Sequence, residues 1–442
     1  MRRLNVAIIG GGTVGCGVYQ ALRRNSGLLV ARTGTHLQIN HVVVRNRRKQ
    51  RPVRFSERLV STDWKAAIRD PKTDIVGELI GGTTTAKTIV ETALKLGKPV
   101  VTANKALLSE HGESLFALAA ENGAGLYYEA SVAGGIPIIK VLREGLVGNR
   151  LNYIYGILNG TCNYILTRME AEGGDFADVL ADAQKKGYAE AKASLDVDGL
   201  DAMHKTGLLA SLAHGFWVSP DQIHVDGIRQ ISQMDIEFAG KLGYKIKLLA
   251  SICRLSTTGS RHSAKEHQIQ VSVCPTLIPQ SHILASVSGV FNAIYINGDV
   301  VGETLYYGHG AGHGATASAV LSDIADAALD HINHQTVRVR PFTRHTSEGQ
   351  VIPWEDIISE YYMRLTVADK PGTMAKITKV LAESGIGISS IVQPEGHKGA
   401  SVPLILMIHD AATSAMQKAL NQISRLNVVK SPSKMIRVEH FH

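Results

Sequence analysis

Cysteine, aromatic residues and long apolar runs are all scarce in this chain, and each shortage excludes something. The four cysteines, Cys16, Cys162, Cys253 and Cys274, are scattered without a CxxC pair. That pattern argues against a structural zinc and fits a reducing cytoplasm. Aromatics make up 5% of the residues, so the stacking platforms of single-strand nucleic-acid binders are few. No stretch of about 18 apolar residues occurs, which excludes a helical membrane span. The first ten residues carry two arginines and an apolar run, but that run, Val6 to Ile9, stops at Gly10, far short of the h-region of a signal peptide. There is no internal repeat and no low-complexity tract. What remains is a chain of 442 residues, 44% of them hydrophobic, long enough for two or three domains with cores of their own. Its net charge of +8 is concentrated in RNRRKQRPVR, Arg45 to Arg54, so it reads as one basic loop and not as a nucleic-acid surface.

The N-terminal third alternates short apolar runs with helical patterns, the signature of a parallel sheet with crossover helices. Strands are expected at Leu4 to Ile9, Leu37 to Val44, Asp74 to Ile80, Pro99 to Thr102 and Leu126 to Glu129, with a helix at Ala86 to Leu96 ended by Gly97. From Pro137 to about Thr304 the pattern is α+β, with strands at Leu151 to Ile157, Ile246 to Arg254, Ile269 to Val273 and Ala293 to Ile296. Leu305 to Asp330 reads as helix, and His331 to Glu360 as a polar linker. The last segment, Tyr361 to His442, has a β-α-β-β-α-β order, that of a small ferredoxin-like sandwich.

Gly10-Gly11-Gly12-Thr13-Val14-Gly15 follows the first strand and opens a helix. In that context GxGxxG is a dinucleotide fingerprint: Gly10, Gly12 and Gly15 allow a tight turn and close approach of backbone to a pyrophosphate, which rests on the helix N-terminus beside Thr13 and Val14. The second strand ends in Arg45, followed by Arg47, Arg48 and Lys49, where an acidic residue would select NAD. A 2′-phosphate suits that charge, so the cofactor is expected to be NADP, with NAD as the alternative.

GYAEAKASLDVDGLDAMHK, Gly187 to Lys205, carries Glu190, Asp201 and Lys205, two carboxylates and an amine suited to a small polar substrate. Asp201 and Lys205 lie one helical turn apart, a spacing that also fits an exposed ion pair. Leu208 and Leu212 continue the same stripe, while His204, Gly207, Ser211 and His214 fall opposite. The lysine therefore points the way the leucines do, and a desolvated amine of this kind can serve as an acid or base.

Together with VVTANK (Val100 to Lys105), EASVAGGIP (Glu129 to Pro137), NGTCNYI (Asn159 to Ile165) and GYKIKLLA (Gly243 to Ala250), these motifs resemble homoserine dehydrogenase over residues 4 to 325. The resemblance implies an α/β protein: a Rossmann-type NAD(P)-binding domain at 1–137 completed by a helix at about 305–330, a catalytic substrate and dimerisation domain at 138–304, a linker at 331–360, and a ferredoxin-like ACT regulatory domain at 361–442. It implies reversible oxidation of L-homoserine to L-aspartate 4-semialdehyde, in threonine, methionine and isoleucine biosynthesis, by a cytoplasmic homo-oligomer. Lys205 takes the role of general acid/base and Lys105 that of a second proton-transfer candidate beside the cofactor. Glu190 and Asp201 match the carboxylates that bind the substrate ammonium. Gly187, Gly310 and Gly312 match cofactor contacts. Glu129 with the carbonyls of Val132, Gly134 and Ile136 matches a site for a monovalent cation, Na+ or K+. The C-terminal segment, through YYMRLTVADKPGTMAKI and ISSIVQPEG, resembles an ACT domain, with L-threonine as the implied effector and Pro371, Gly372, Thr373, Ile386 and Ser389 as its contacts; the alternative is a unit that only dimerises. Where the family has Asp-Pro this chain has Lys192-Ala193, with Ser194 available as the helix cap. That departure motivates a second reading on the same fold, a catalytically weakened NADPH or amino-acid sensor.

Overall fold

The computed structural model describes residues 2–188, 193–255, 267–333, 335, 337–393 and 401–441. Two compact units are built from interleaved segments, Met1–Ile154, His204–Asp221 and Asn292–Gly349 in the first, Tyr155–Met203, Gln222–Phe291 and Gln350–His442 in the second. No helix among the described residues is long and apolar enough to cross a membrane.

In the first unit β1 (Arg2–Ile9), β2 (Thr35–Val43), β3 (Val60–Ser61), β4 (Ile75–Glu78), β5 (Val100–Thr102) and β6 (Leu126–Tyr127) form an all-parallel sheet in the order β3-β2-β1-β4-β5-β6. Parallel strands are joined by crossover helices that cover both faces, so their residues are apolar without alternation. Val6, Ala7, Ile8 and Ile9 are accordingly all buried. Strand order reverses at β1, whose two neighbours are β2 and β4, and their carboxyl ends open the crevice where such sheets bind ligands. The expected strands are present with their ends shifted by a few residues. β3 was not foreseen, and the stretch Asn25 to His36 holds a short helix, Ser26–Thr33, closed by Gly34 at φ 68°. The helix His313–Ile332 packs on the helix Thr13–Arg24: Cys16, Val18, Tyr19 and Leu22 share a core with Ala317, Val320, Ile324 and Ala328.

One element differs from the sequence reading here. Leu305 to His309 is strand, not helix, the end of Gly302–His309, which is hydrogen-bonded to Phe291–Gly298. Its residues alternate between more and less exposed positions, the period of a strand edge. The glycines that follow delay the helix to His313. The segment expected to be a linker is also tied down: Tyr128 donates its hydroxyl to the Pro341 carbonyl at 2.5 Å, and Arg143 donates to the carbonyls of Val339 and Arg340.

In the second unit β7 (Tyr244–Arg254) and β8 (His267–Pro279) are a long antiparallel pair. The C-terminal module adds β9 (Ile358–Ala368), β10 (Ile388–Val392), β11 (Ser401–Ala412) and β12 (Lys434–Val438), with helices Thr373–Glu383 and Thr413–Ser424. The order β7-β8-β12-β9-β11-β10 places the module's fourth strand beside its first and its third beside its second, the ferredoxin-like arrangement. The module is not a separate bead. β12 pairs in parallel with β8, Thr276 opposite Arg437 and Leu277 opposite Val438, so one sheet runs through both parts of the unit. β9 also begins inside the expected linker, at Ile358. Asp235, wholly buried, clamps the module further. It accepts from Ser232 N–H and Oγ at the start of the helix Gln233–Lys241, from the Tyr362 hydroxyl at 3.2 Å, and from Arg364 Nε at 2.6 Å.

Candidate active site

The glycine turn stands where β1 ends and the helix Thr13–Arg24 begins. Gly10 has φ 121°, and a Cβ there would lie 2.4 Å from the Leu79 carbonyl oxygen; a Cβ on Gly15 would lie 1.9 Å from that of Gly10. Neither position admits a side chain. Gly12 is the N-cap and supplies no side-chain hydrogen bond, and a Cβ on it would meet nothing within 4 Å. The first N–H groups of the helix, carried by Thr13, Val14 and Gly15, receive no side-chain cap from Gly12, and uncapped amides at a helix start suit a pyrophosphate. The basic loop is joined to this turn through Arg51, which sequence reading had not singled out. Arg51 donates from Nε to the Gly11 carbonyl at 3.0 Å and from its terminal nitrogens to Lys49 and Asn46 carbonyls. Arg47, Lys49, Arg51 and Arg54 line a cavity of about 560 Å³ beside Phe55, and Arg45 is exposed at the end of β2.

Lys105 is the first residue of the helix Lys105–Glu121 at the carboxyl edge of β5, half-buried. Its backbone position follows from its neighbours. Asn104 accepts from Leu107 N–H as N-cap and donates to the Gly82 carbonyl, while Thr102 donates to the buried Glu78 carboxylate at 2.7 Å. Burial holds the Glu78 carboxyl above the usual range.

Glu129, Val132, Gly134 and Ile136 share one turn. It rests against the second glycine run, where Gly135 N–H donates to the His309 carbonyl at 2.9 Å. Gly310 lies against the Asn292 side chain, and Gly312 is the N-cap of the helix His313–Ile332. The Glu129 carboxylate, 2% exposed, accepts from the N–H groups of Ile139 and Lys140, each at 2.9 Å. Burial pushes its carboxyl up to about 7 against those two bonds. Asp323, which accepts from Glu129 N–H, is raised well above the ordinary carboxyl range by burial first and by the neighbouring Glu129 charge second. The Ile136 carbonyl already accepts from Ile138 N–H. A carboxylate with backbone carbonyls is the donor set of a hard cation, and carboxylate and carbonyl oxygens retain lone pairs for one.

In the Gly187 to Lys205 stretch, Gly187 has φ 75° and follows the C-cap of the helix Phe176–Lys185, its N–H on the Gln184 carbonyl and that of Tyr188 on Ala183. That is a helix-terminating geometry. Glu190 and Lys192 lie outside the described residues. The helix Ser194–Val197 starts with Ala193 as N-cap and no side-chain bond, so Ser194 does not take over as cap. It is the first helical residue, one place past the capping position from which a hydroxyl accepts the N–H groups of the first turn. Asp201 and Lys205 are one turn apart on the helix Leu200–His214, with Lys205 7% exposed. Along the stripe Leu208 is buried and Leu212 half-buried. Of the residues that fall opposite, Gly207, Ser211 and His214 are buried too and His204 is half-buried, so polarity on that face does not mark exposure.

Sequence reading also missed the helix Gly160–Glu172. Its N-cap, Asn159, donates from Nδ2 to Asp196 Oδ1 at 2.7 Å and to Asp201 Oδ2 at 3.0 Å. One turn on, Asn163 holds the carbonyls of Gly289 and Phe291 and accepts from Lys247, which is 1% exposed and also donates to the Val287 carbonyl at 2.6 Å. Both residues lie in motifs already noticed, NGTCNYI and GYKIKLLA, but polar residues there gave no hint of which partners they would meet. Burial pulls the Lys247 amine down from 10.5 to about 8. Because the folded value is below the unfolded one, the penalty for the charged amine is fully present below pH 8 and is relieved as pH rises from 8 towards 10.5. Denaturant titrations are expected to show a Lys247-dependent gain of about 3 kcal/mol across that window, absent in Lys247→Met.

In the C-terminal module Pro371, Gly372 and Thr373 form the turn before the helix Thr373–Glu383, with Gly372 at φ 84°. The Thr373 hydroxyl closes that turn by donating to the Ala368 carbonyl at 2.9 Å. Ile386 is buried and Ser389, on β10, is exposed.

A doubly wound parallel sheet with a glycine turn at its switch point, an uncapped helix N-terminus and a basic loop beside it defines an enzyme of the nicotinamide-dinucleotide oxidoreductase class. The family model of homoserine dehydrogenase matches residues 137–325, and that of the homoserine dehydrogenase NAD-binding domain matches residues 10–129. The homoserine dehydrogenase of Pseudomonas aeruginosa is 40% identical over the whole of both chains, and that of Neisseria gonorrhoeae 39%. The crystal structure of a homoserine dehydrogenase from Thiobacillus denitrificans superposes with a TM-score of 0.91 at 39% identity, covering 100% of this chain and 99% of that one. The chain belongs to the homoserine dehydrogenase family.

Proposed function

We propose that the protein interconverts L-homoserine and L-aspartate 4-semialdehyde, with NADP preferred over NAD, in the cytoplasm and as a homo-oligomer. Similarity along the full length to enzymes of this name carries the reading. When bound, the nicotinamide supplies or receives the hydride. Lys205 donates a proton to the aldehyde oxygen in reduction and, as neutral amine, takes the hydroxyl proton in oxidation; Lys105 is the second proton-transfer candidate. Asp201, with Glu190, holds the substrate ammonium. The cofactor domain comprises residues 1–137 and the helix His313–Ile332, the substrate and dimerisation domain residues 138–304, and an ACT domain binding L-threonine residues 361–442, with Pro371, Gly372, Thr373, Ile386 and Ser389 at the effector. Glu129 and the carbonyls of Val132, Gly134 and Ile136 bind Na+ or K+.

NADPH oxidation by purified protein with L-aspartate 4-semialdehyde tests the reaction, and no turnover despite NADPH binding would overturn it. Repeating the assay with added L-threonine, and in buffers free of monovalent metal ions, tests the effector and the cation; size-exclusion chromatography reads the oligomer. The NADP preference draws support from the basic loop and from a structural neighbour, a hyperthermophilic archaeal homoserine dehydrogenase mutant solved in complex with NADPH. Arg45→Ala is expected to raise the KM for NADP about 10-fold or more, the effect of one charged hydrogen bond to phosphate, with little change for NAD. Equal losses for both cofactors would mean that Arg45 supports the loop and reads no phosphate.

A further inference from the structure

The amide of Asn159 is fully used, and its two halves face different tasks. Oδ1 accepts from Cys162 N–H at 2.8 Å and caps the helix Gly160–Glu172. Nδ2 spends both of its hydrogens on carboxylates, Asp196 and Asp201, which approach the same nitrogen from two different helices. The residue is buried, so neither bond competes freely with water. Its helix is itself immobilised. Thr161 donates to the Tyr188 carbonyl, Cys162 Sγ to that of Asp196, and Lys247 locks Asn163 from below. The first turn of this helix is therefore a platform against which the segments carrying Asp196 and Asp201 are held.

We propose that Asn159 is a positioning residue for substrate: it sets the orientation of the Asp201 carboxylate that receives the ammonium group. The inference rests on Asp201 being a substrate ligand. Asn159 fixes one oxygen of Asp201, Oδ2, from a nitrogen that is itself held by the helix cap. It also keeps two carboxylates together near a helix N-terminus, whose partial positive charge lowers the cost of their proximity.

The test exploits capping chemistry. Asn, Asp and Ser cap helices about equally well, so a role limited to capping predicts that Asn159→Ser and Asn159→Asp behave alike and like the parent. A positioning role predicts a graded effect. Serine loses the bonds to the carboxylates, and aspartate repels them. With the full-length protein, Asn159→Ser is expected to raise the KM for L-homoserine about 10-fold, and Asn159→Asp more than that, with kcat changed by less than about threefold. NADPH affinity and the melting temperature should stay close to the parent values in the serine variant. An unchanged KM in both variants overturns the proposal, as does a KM rise matched by lost NADPH binding and lost stability. Asp201→Asn separates the two layers: a rise in KM there without one in Asn159→Ser defeats the positioning role alone, and no rise in Asp201→Asn removes the ligand role on which it stands.

Discussion

Lys205→Ala is expected to lower kcat by about 10³-fold while NADPH binds within about twofold of the parent affinity, because a positioned acid or base contributes about 10²- to 10⁴-fold and takes no part in holding the dinucleotide. The lysine is 7% exposed on a helix buried on nearly every side. It therefore has little room to be replaced by solvent, and a water in its place would lack both its charge and its fixed position. Single-turnover kinetics with L-aspartate 4-semialdehyde, alongside fluorescence titration of NADPH, measure the two quantities separately. Loss of both together would identify Lys205 as a structural group, and the proton-transfer role would then pass to Lys105.

Asp235→Ala is expected to be the most destabilising single change outside the site. Removing it strands the Arg364 guanidinium, whose side chain is 16% exposed, and removes the carboxylate half of the capping box at the start of the helix Gln233–Lys241, leaving the Ser232 cap alone. Breaking one side of a buried pair costs about 3–5 kcal/mol, which in a unit of this size lowers the melting temperature by roughly 10 °C. Arg364→Met should cost about half as much, because Asp235 keeps three donors, Ser232 N–H, Ser232 Oγ and the Tyr362 hydroxyl. Calorimetry on the two variants and the parent gives the order directly. If both variants melt with the parent, the clamp between the C-terminal module and the rest of its unit carries no measurable energy.

A sheet continuous from β7 to β10, reinforced by Asp235, gives the C-terminal module a rigid attachment within the second unit. A module on a loose linker, which is how the polar composition of residues 331–360 reads, would have lacked one. Composition is a poor guide there because the segment is held through its backbone carbonyls, as in the bonds from Tyr128 and Arg143, and those are the same for every residue type.

Local chemistry was enough for some of this protein. Apolar runs at strand length predicted the parallel sheet, since buried strands need no partner-specific side chains, and GGGTVG predicted its own turn, since Gly10 and Gly15 sit where any Cβ would strike backbone. The order of the C-terminal elements predicted the ferredoxin-like module for the same reason: strand, turn and helix preferences act over a few residues. What required the tertiary structure was every feature that depends on partners distant in sequence. The far face of the Lys205 helix is polar in sequence yet buried, the strand Gly302–His309 carries residues that suit a helix equally well, and Arg51 reaches back to Gly11. Nothing in the sequence linked Asn159, Asp196 and Asp201 to one another, and only the packing of three helix ends brought two carboxylates to one amide nitrogen. Periodicity reports what a segment can bury, whereas hydrogen-bond direction and charge pairing are decided by which segments the fold places side by side.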